Sequence, residues 1–183
     1  MSERSSRLAY LALFTSLALV LGYVEAIIPV PASIPGVKLG LANVAVLMAL
    51  YLLGPRGGLS IMLLKVAVTS LIIGAPSMII YSLAGSFLAF LGMLLCWKLS
   101  SVSVVVTSVV AALLHNVGQL MVALAVLQTP LLLLNAPLMI LAACVTGLLT
   151  GALAAGVLKA LPALPPSAKR KLPQQEHGRG PLA

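Results

Sequence analysis

The chain has 183 residues, of which 61% are hydrophobic and only 8% are charged, and its formal net charge is +8. Soluble domains contain about 45–50% apolar and about 25% charged residues, so this composition excludes an ordinary soluble domain and indicates an integral membrane protein. The basic residues lie at the ends of apolar segments and in the C-terminal tail. That pattern is typical of membrane topology and not of a nucleic-acid-binding protein.

Six apolar segments qualify as transmembrane helices, some of them marginally, because a spanning helix needs about 20 residues. In chain order they cover about residues 8–28, 39–53, 59–73, 77–97, 102–127 and 137–158, with residues 131–136 as a semi-buried connector. A proline-rich loop follows the first segment and a glycine-rich turn follows the second. We predict an all-α membrane protein with a six-helix transmembrane domain at residues 1–160 and a disordered, basic, Pro-rich cytoplasmic tail at residues 161–183.

The placement of lysine and arginine predicts the orientation of the helices. With the N-terminus inside and six spans, the outer side holds only Lys38, and Lys65 lies within an apolar segment. The remaining basic residues then fall on the cytoplasmic side: Arg4, Arg7, Arg56, Lys98, Lys159, Lys169, Arg170, Lys171 and Arg179. The predicted topology is therefore N-in and C-in, with the tail near lipid head groups.

Seven strongly polar side chains interrupt the apolar region: Glu25, Lys38, Asn43, Lys65, His115, Asn116 and Gln119. A charged group at the bilayer centre costs roughly 2.5–3.5 kcal/mol on insertion scales, so such residues usually face a bundle interior or a cavity and mark function. The topology places Glu25 and Lys38 toward the outer side, and Lys65 and His115 near the middle. We predict that the seven line a ligand-binding pocket that opens outward.

Plainer interpretations of these residues remain open. Lys38 can snorkel to the interface from a helix end, or it can pair with Glu25. Lys65 lies roughly 13 Å deeper than Arg56 at 1.5 Å per residue, which favours a cavity-facing position over snorkelling. The polar residues of the fifth segment can instead link helices, at about 0.6–2 kcal/mol for each hydrogen bond.

Small residues at four-residue spacing let transmembrane helices approach closely. In the last segment such a stripe is best explained by packing within the bundle, whereas Ala12 and Ser16 of the first segment are candidates for docking another subunit. Ser77, Tyr81 and Gly85 share one face of the fourth segment, where either packing or a cavity lining explains them.

The residues that are absent limit the chemistry. The chain has no aspartate, and Glu25 is the only acid in the apolar region, since the others are Glu3 and Glu176. Magnesium-dependent diphosphate chemistry needs several carboxylates to hold the metal. A lone histidine does not make a metal site, and Cys96 and Cys144 are isolated small packing residues. We therefore expect neither an enzyme nor a metal or other cofactor.

Four motifs carry a family resemblance: Pro35-Gly-Val-Lys-Leu-Gly-Leu-Ala-Asn43, Tyr81-Ser-Leu-Ala-Gly85, His115-Asn-Val-Gly-Gln119 and Thr146-Gly-Leu-Leu-Thr-Gly151. Together they resemble the bacterial Gx transporter family, which is often labelled heptaprenyl diphosphate synthase component I. The likeness covers about residues 8–158. Members tend to have arginine at the position of Lys65. The lysine of this chain keeps the positive charge but lacks the planar fork with which arginine binds anions in a bidentate manner.

This family resembles the substrate-binding S-components of energy-coupling factor (ECF) transporters. That likeness implies a six-helix bundle in the bacterial cytoplasmic membrane that binds a small molecule near the outer leaflet. It also implies docking, partly through the first helix, on a T-component and ATPases. The ligand is expected to be anionic or amphipathic, with isoprenoid and quinone precursors as candidates.

A second hypothesis is a non-catalytic accessory subunit in isoprenoid or quinone metabolism or membrane electron transfer. Its partner would be a prenyl synthase or a redox protein. Prenyl diphosphate synthases resemble soluble helical bundles with Asp-rich motifs, and this chain lacks aspartate. The label therefore fits only a membrane partner of a catalytic subunit.

Overall fold

The computed structural model describes residues 3–27, 40–73, 76–99 and 101–160. Its elements are α1 (Glu3–Ile27), α2 (Asn43–Ile73), α3 (Pro76–Lys98), α4 (Val104–Leu127), a 3₁₀ helix (Pro130–Asn135) and α5 (Ala136–Ala160). Across these described residues, five helical elements are long and apolar enough to cross a membrane. The prediction of an all-α protein with helices of membrane-spanning length is therefore confirmed for the described residues. The predicted tail at residues 161–183 lies outside the described residues.

Helix α2 reverses its direction at Gly54, whose φ of 78° and ψ of −177° are not helical. In a straight helix, residues 43 and 65 would lie about 33 Å apart at 1.5 Å per residue. Instead, Lys65 Nζ donates a hydrogen bond to Asn43 Oδ1 at 2.6 Å. A Cβ atom on Gly58 would also lie 3.3 Å from the Cα atom of Leu50. Helix α2 is therefore a hairpin with a first arm at residues 43–53 and a second arm at residues 55–73.

The two arms lie where the sequence predicts its second and third segments, and the reversal falls in the glycine-rich turn. The connector after α4 is also regular, because the Pro130 segment forms a 3₁₀ helix instead of an irregular loop. The observed helices begin and end within a few residues of the predicted bounds, apart from α1, which begins at Glu3. Assignments of helix ends ordinarily differ by one or two residues.

The first arm of α2 forms the centre of the bundle. Its buried residues include Ala45, Val46, Leu47, Met48, Ala49, Leu50, Tyr51 and Leu52. A helix that is apolar on every side lies either in a protein core or within a membrane, and this arm lies in the core of the bundle. Helix α1 packs on α2, α3 packs on α2 and α4, and α5 packs mainly on α4. The outward faces of α1 and α5 carry exposed leucine and valine side chains, as a lipid-facing surface requires.

Small residues set the spacing between α3, α4 and α5. A Cβ atom on Gly118 would lie 2.7 Å from the carbonyl oxygen of Ala84, so α3 and α4 approach at backbone contact. Similarly, a Cβ atom on Gly147 would lie 2.7 Å from Val109 Cα, and one on Gly151 would lie 2.8 Å from Val105 Cα. The small-residue stripe of α5 therefore packs inside the bundle against α4, as the sequence indicates.

The reversal at Gly54 gives a direct test of the hairpin. We expect Gly54→Ala to lower the free energy of unfolding by about 1–3 kcal/mol, because this backbone region is essentially restricted to glycine. No atom lies within 4 Å of the Cβ position at Gly54, so the loss would be conformational and not steric. The measurement is the unfolding transition of the purified protein in mixed micelles titrated with dodecyl sulfate.

Gly156→Ala is the matched control, because the Cβ position at Gly156 also has no atom within 4 Å and lies in regular helix α5. This variant should be neutral or slightly stabilising. Equal effects of the two substitutions would contradict a special backbone conformation at Gly54.

Candidate functional site

Glu25 connects the end of α1 to the start of α2. Its side chain is buried with 5% exposure, and Oε1 accepts a hydrogen bond from the backbone N–H of Gly40. Gly40 has a φ of 79°, a conformation that glycine adopts without steric cost. Its carbonyl oxygen accepts a hydrogen bond from the backbone N–H of Asn43 at 2.9 Å. The carboxylate of Glu25 therefore positions the turn from which α2 begins.

Lys65 and Asn43 join the two arms of the α2 hairpin. Both side chains are buried, with 5% and 6% exposure. Because a lysine ammonium group has donors and no acceptor, the amide oxygen of Asn43 must face Lys65. The 2.6 Å bond from Nζ to Oδ1 thus fixes the orientation of the amide, with Nδ2 on its other side.

A small cavity lies among these groups, and we name it the charged cavity. Its lining residues are Gly22, Glu25, Gly40, Ala42, Lys65, Thr69, Ser82 and His115. They come from α1, the turn before α2, the second arm of α2, α3 and α4. The cavity measures about 10 Å³, which is about enough for one water molecule. A carboxylate, an ammonium and an imidazole therefore meet around a space of atomic size inside an apolar bundle.

The three predicted residues of α4 face different neighbours. His115 lines the charged cavity, whereas Gln119 is fully buried beside Gly85 of α3. A Cβ atom on Gly85 would lie 2.9 Å from Gln119 Cγ and 3.0 Å from His115 Cε1, so this glycine makes room for both side chains. Asn116 instead donates from Nδ2 to the carbonyl oxygen of Met139 at 2.9 Å. It links α4 to α5, which is the plainer interpretation left open by the sequence.

Other predicted residues lie away from this cluster or outside the described residues. Lys38 falls outside the described residues, as does the side chain of Ser77. Tyr81 packs with Ala123 and Met139 in a small separate apolar cluster. Ala12 and Ser16 are exposed on α1, which leaves them accessible to lipid or to another subunit.

Thr69 and Ser82 line the charged cavity and were missed by the sequence reasoning. Thr69 is buried, and its hydroxyl has no hydrogen-bond partner among the described residues. A Cβ atom on Gly22 would lie 3.3 Å from Thr69 Oγ1, so Gly22 leaves space for that hydroxyl. Thr69 lies four residues after Lys65, which puts it on the same helix face and was a usable signal. Ser82 had no comparable signal, because its orientation depends on how α3 packs.

A second space lies on the other side of Gly40, and we name it the neutral cavity. It is lined by Gly40, Asn43, Val44, Met93, Ser108, Ala111, Ala112 and Thr150, and it also measures about 10 Å³. Ser108 Oγ and Thr150 Oγ1 lie 3.0 Å apart at its wall. Since Gly40 lines both spaces, the charged cavity and the neutral cavity meet at the turn before α2.

Comparison with known proteins gives one match. The family model described as heptaprenyl diphosphate synthase component I matches residues 14–157, which is most of the chain. The chain belongs to this family. The resemblance to the family labelled heptaprenyl diphosphate synthase component I is thereby confirmed, and every lining residue of both cavities falls within the matched range. No curated protein and no solved structure matches the chain.

The chemistry available at this site is recognition of charge. Lys65 supplies a cation and Asn43 an amide, while Glu25 is engaged by the Gly40 backbone and His115 adds a ring nitrogen donor or acceptor. A lysine in an apolar bundle is costly unless an anion or other polar partners accompany it. The charged cavity therefore combines a buried cation, a buried carboxylate and an imidazole.

The shared cavity predicts energetic coupling between Glu25 and Lys65. We expect Glu25→Gln and Lys65→Met each to destabilise the bundle, and the double variant to lose less than the sum, with a coupling of about 1 kcal/mol or more. The reason is that each single change leaves the other charge in a low-dielectric space. Unfolding in mixed micelles at neutral pH measures the full double-mutant cycle.

Lys98→Met serves as the control, because Lys98 is exposed at the end of α3. When Lys98→Met is combined with Glu25→Gln, the two changes in the free energy of unfolding should add. Additivity in the Glu25 and Lys65 cycle as well would show that the two charges do not interact.

Proposed function

We propose that this protein is a membrane small-molecule-binding protein of the ECF S-component type, and that its ligand binds at the charged cavity. The observation that carries this proposal is the convergence of Glu25, Lys65 and His115 on one space within an apolar bundle. Intramembrane ionisable groups that face a shared cavity are typical of substrate and ion sites.

The proposed topology has six crossings, N-in and C-in, with the two arms of the α2 hairpin as the second and third crossings. Because successive crossings run in opposite directions, the exposed basic residues Arg56, Lys98 and Lys159 fall at the same end of the bundle. This placement agrees with the positive-inside rule. The charged cavity then lies toward the opposite, outer end. The first arm of α2 is about 16 Å long at 1.5 Å per residue, which makes it the shortest of the proposed crossings.

The proposed ligand is anionic or amphipathic, with its negative group beside Lys65. Glu25 acts by positioning the turn at Gly40, while Asn43, His115 and Gln119 complete the polar surroundings. Asn116 contributes by fixing α4 to α5, and Lys38, which lies outside the described residues, is a further proposed contact of the ligand. The family description, which names a prenyl diphosphate synthase, supports an isoprenoid or quinone precursor as the ligand class.

Binding must rearrange the site, because a space for one water molecule cannot hold an organic ligand. Small-molecule pockets usually measure about 300–1,000 Å³, far more than the charged cavity. The turn that begins at Gly40 is the element that closes this space, since it contacts Glu25 on one side and lines both cavities. We propose that this turn moves when the ligand enters.

A second candidate function follows from the family description. As component I of a heptaprenyl diphosphate synthase, the protein would be a non-catalytic membrane subunit whose partner holds the metal and the diphosphates. The apolar bundle would then place a growing lipid chain or a partner enzyme at the membrane. Ala12 and Ser16, which are exposed on α1, form the proposed docking face in either function.

Replacement of Lys65 tests the binding site. We expect an anionic or amphipathic compound to co-purify with the wild-type protein in mild detergent, and Lys65→Met to reduce its amount at least tenfold. A tenfold loss corresponds to about 1.4 kcal/mol, which is modest for a buried charge-assisted contact. Organic extraction and mass spectrometry of equal amounts of monodisperse protein measure the effect.

The control is Lys98→Met, which removes the same charge at an exposed helix end and should retain the compound. Equal retention by Lys65→Met and Lys98→Met would contradict the proposed site. A wild-type protein that yields no compound in any detergent would contradict binding itself and would favour the accessory function.

Partner capture separates the two functions. Affinity purification of the protein from its native membranes should recover a T-component and ATPases if it is an S-component, and a prenyl diphosphate synthase if it is an accessory subunit. Ala12→Leu combined with Ser16→Leu should weaken either association, because large side chains keep helices apart. Leu13→Ala, on an exposed neighbouring position of α1, is the control that should leave association intact.

A further inference from the structure

The amide of Asn43 holds an unused hydrogen-bond donor in a fixed direction. Lys65 occupies the Oδ1 side, and Nδ2 is buried with no hydrogen-bond partner among the described residues. A buried donor without an acceptor is destabilising. The bond from Lys65 also polarises the amide and strengthens its N–H groups as donors. A group with these properties is suited to bind an acceptor that arrives from outside the chain.

The space beside this donor is kept open by Gly40. A Cβ atom at that position would lie only 3.2 Å from Asn43 Nδ2, so a larger residue would crowd the donor. Asn43 lines the neutral cavity and not the charged cavity. With a volume of about 10 Å³, the neutral cavity admits a single oxygen-sized group.

The other polar groups of the neutral cavity already have partners within the protein. Thr150 Oγ1 donates to the carbonyl oxygen of Thr146 at 2.6 Å, and it pairs with Ser108 Oγ at 3.0 Å. The rest of the lining is apolar or glycine, and none of it is ionisable. Asn43 Nδ2 is therefore the unmatched donor of an uncharged cavity, which disfavours a charged occupant.

We propose that the neutral cavity is a second subsite, which takes an uncharged carbonyl or hydroxyl oxygen of the ligand whose anionic group lies beside Lys65. This inference rests on the proposed ligand-binding function. The two subsites meet at Asn43, which contacts Lys65 through Oδ1 and the second ligand oxygen through Nδ2. The ligand class is thereby narrowed to small or amphipathic anions that carry a neutral oxygen a few bonds from the charge. In the ligand-free protein a water molecule can make the same hydrogen bond, and the ligand oxygen replaces it.

The test compares oxo acids with methyl-substituted acids of nearly the same shape. The pairs are pyruvate and isobutyrate, 3-oxobutanoate and 3-methylbutanoate, and 4-oxopentanoate and 4-methylpentanoate. Isothermal titration of the purified full-length protein in detergent gives the affinity ratio within each pair. We expect the oxo acid to bind about fivefold more tightly in at least one pair, as one net hydrogen bond provides.

Two variants locate this preference. Asn43→Asp keeps an acceptor for Lys65 but puts a carboxylate oxygen in place of the Nδ2 donor. The affinity of each oxo acid relative to its methyl-substituted partner should then fall to one or below. Ala112→Val fills the neutral cavity without changing a polar group and should also abolish the preference. Ala125→Val adds the same methyl groups at an exposed position of the same helix and should retain it. Both acids of a pair carry the same charge, so the charge added by Asn43→Asp weakens their binding alike and cancels in the affinity ratio.

The outcomes distinguish this inference from the proposed function. If Lys65→Met weakens binding of every acid but no oxo acid is preferred by the wild-type protein, the neutral subsite is overturned and the charged site stands. A preference that survives both Asn43→Asp and Ala112→Val also overturns the subsite. If no acid binds the wild-type protein, the subsite is overturned as stated, and the proposed function is decided separately by the compound that co-purifies.

Discussion

The ammonium group of Lys65 lies inside an apolar helix bundle, where an isolated charge is strongly disfavoured, and the arrangement of the site follows from the need to accommodate it. Its Nζ donates a hydrogen bond to Asn43, which is distant in sequence and becomes a neighbour because α2 reverses at Gly54. The hairpin brings the second arm of α2 beside the turn at Gly40, and Glu25 then holds that turn from α1. A backbone conformation that only glycine readily adopts therefore creates the polar cluster.

The same geometry leaves little free space within the site. Each polar group is buried, and the two spaces between them hold no more than a water molecule each. The short turn at Gly40 lies beside both spaces and donates a hydrogen bond to the side chain of Glu25 from α1. Under the proposed function, a ligand that offers better partners to Lys65 and Asn43 displaces this turn.

Much of this arrangement follows from the sequence. The polar residues predicted as a site are buried wherever the structure describes them, and the helices occur in the predicted order, because apolar length and glycine or proline breaks are strong local signals. The orientation of individual side chains was less accessible. Helices such as α2 and α4 are apolar on all sides, so no polar stripe indicates which face meets which neighbour. For that reason the sequence groups Asn116 with His115, although Asn116 bonds to α5. It also leaves two explanations open for Tyr81, which packs in an apolar cluster. Thr69, by contrast, could have been found from its spacing to Lys65.

The contact between Lys65 and Asn43 can be measured directly by solid-state NMR in lipid bilayers. Protein labelled with ¹⁵N at lysine Nζ and ¹³C at asparagine Cγ would report their dipolar coupling, and Lys65→Met would assign the lysine signal. We expect a measurable coupling between Lys65 and Asn43, since Nζ lies 2.6 Å from Oδ1, the oxygen bonded to the labelled Cγ. A straight α2 would separate these residues by about 33 Å and give no coupling, which would contradict both the hairpin and the site built on it.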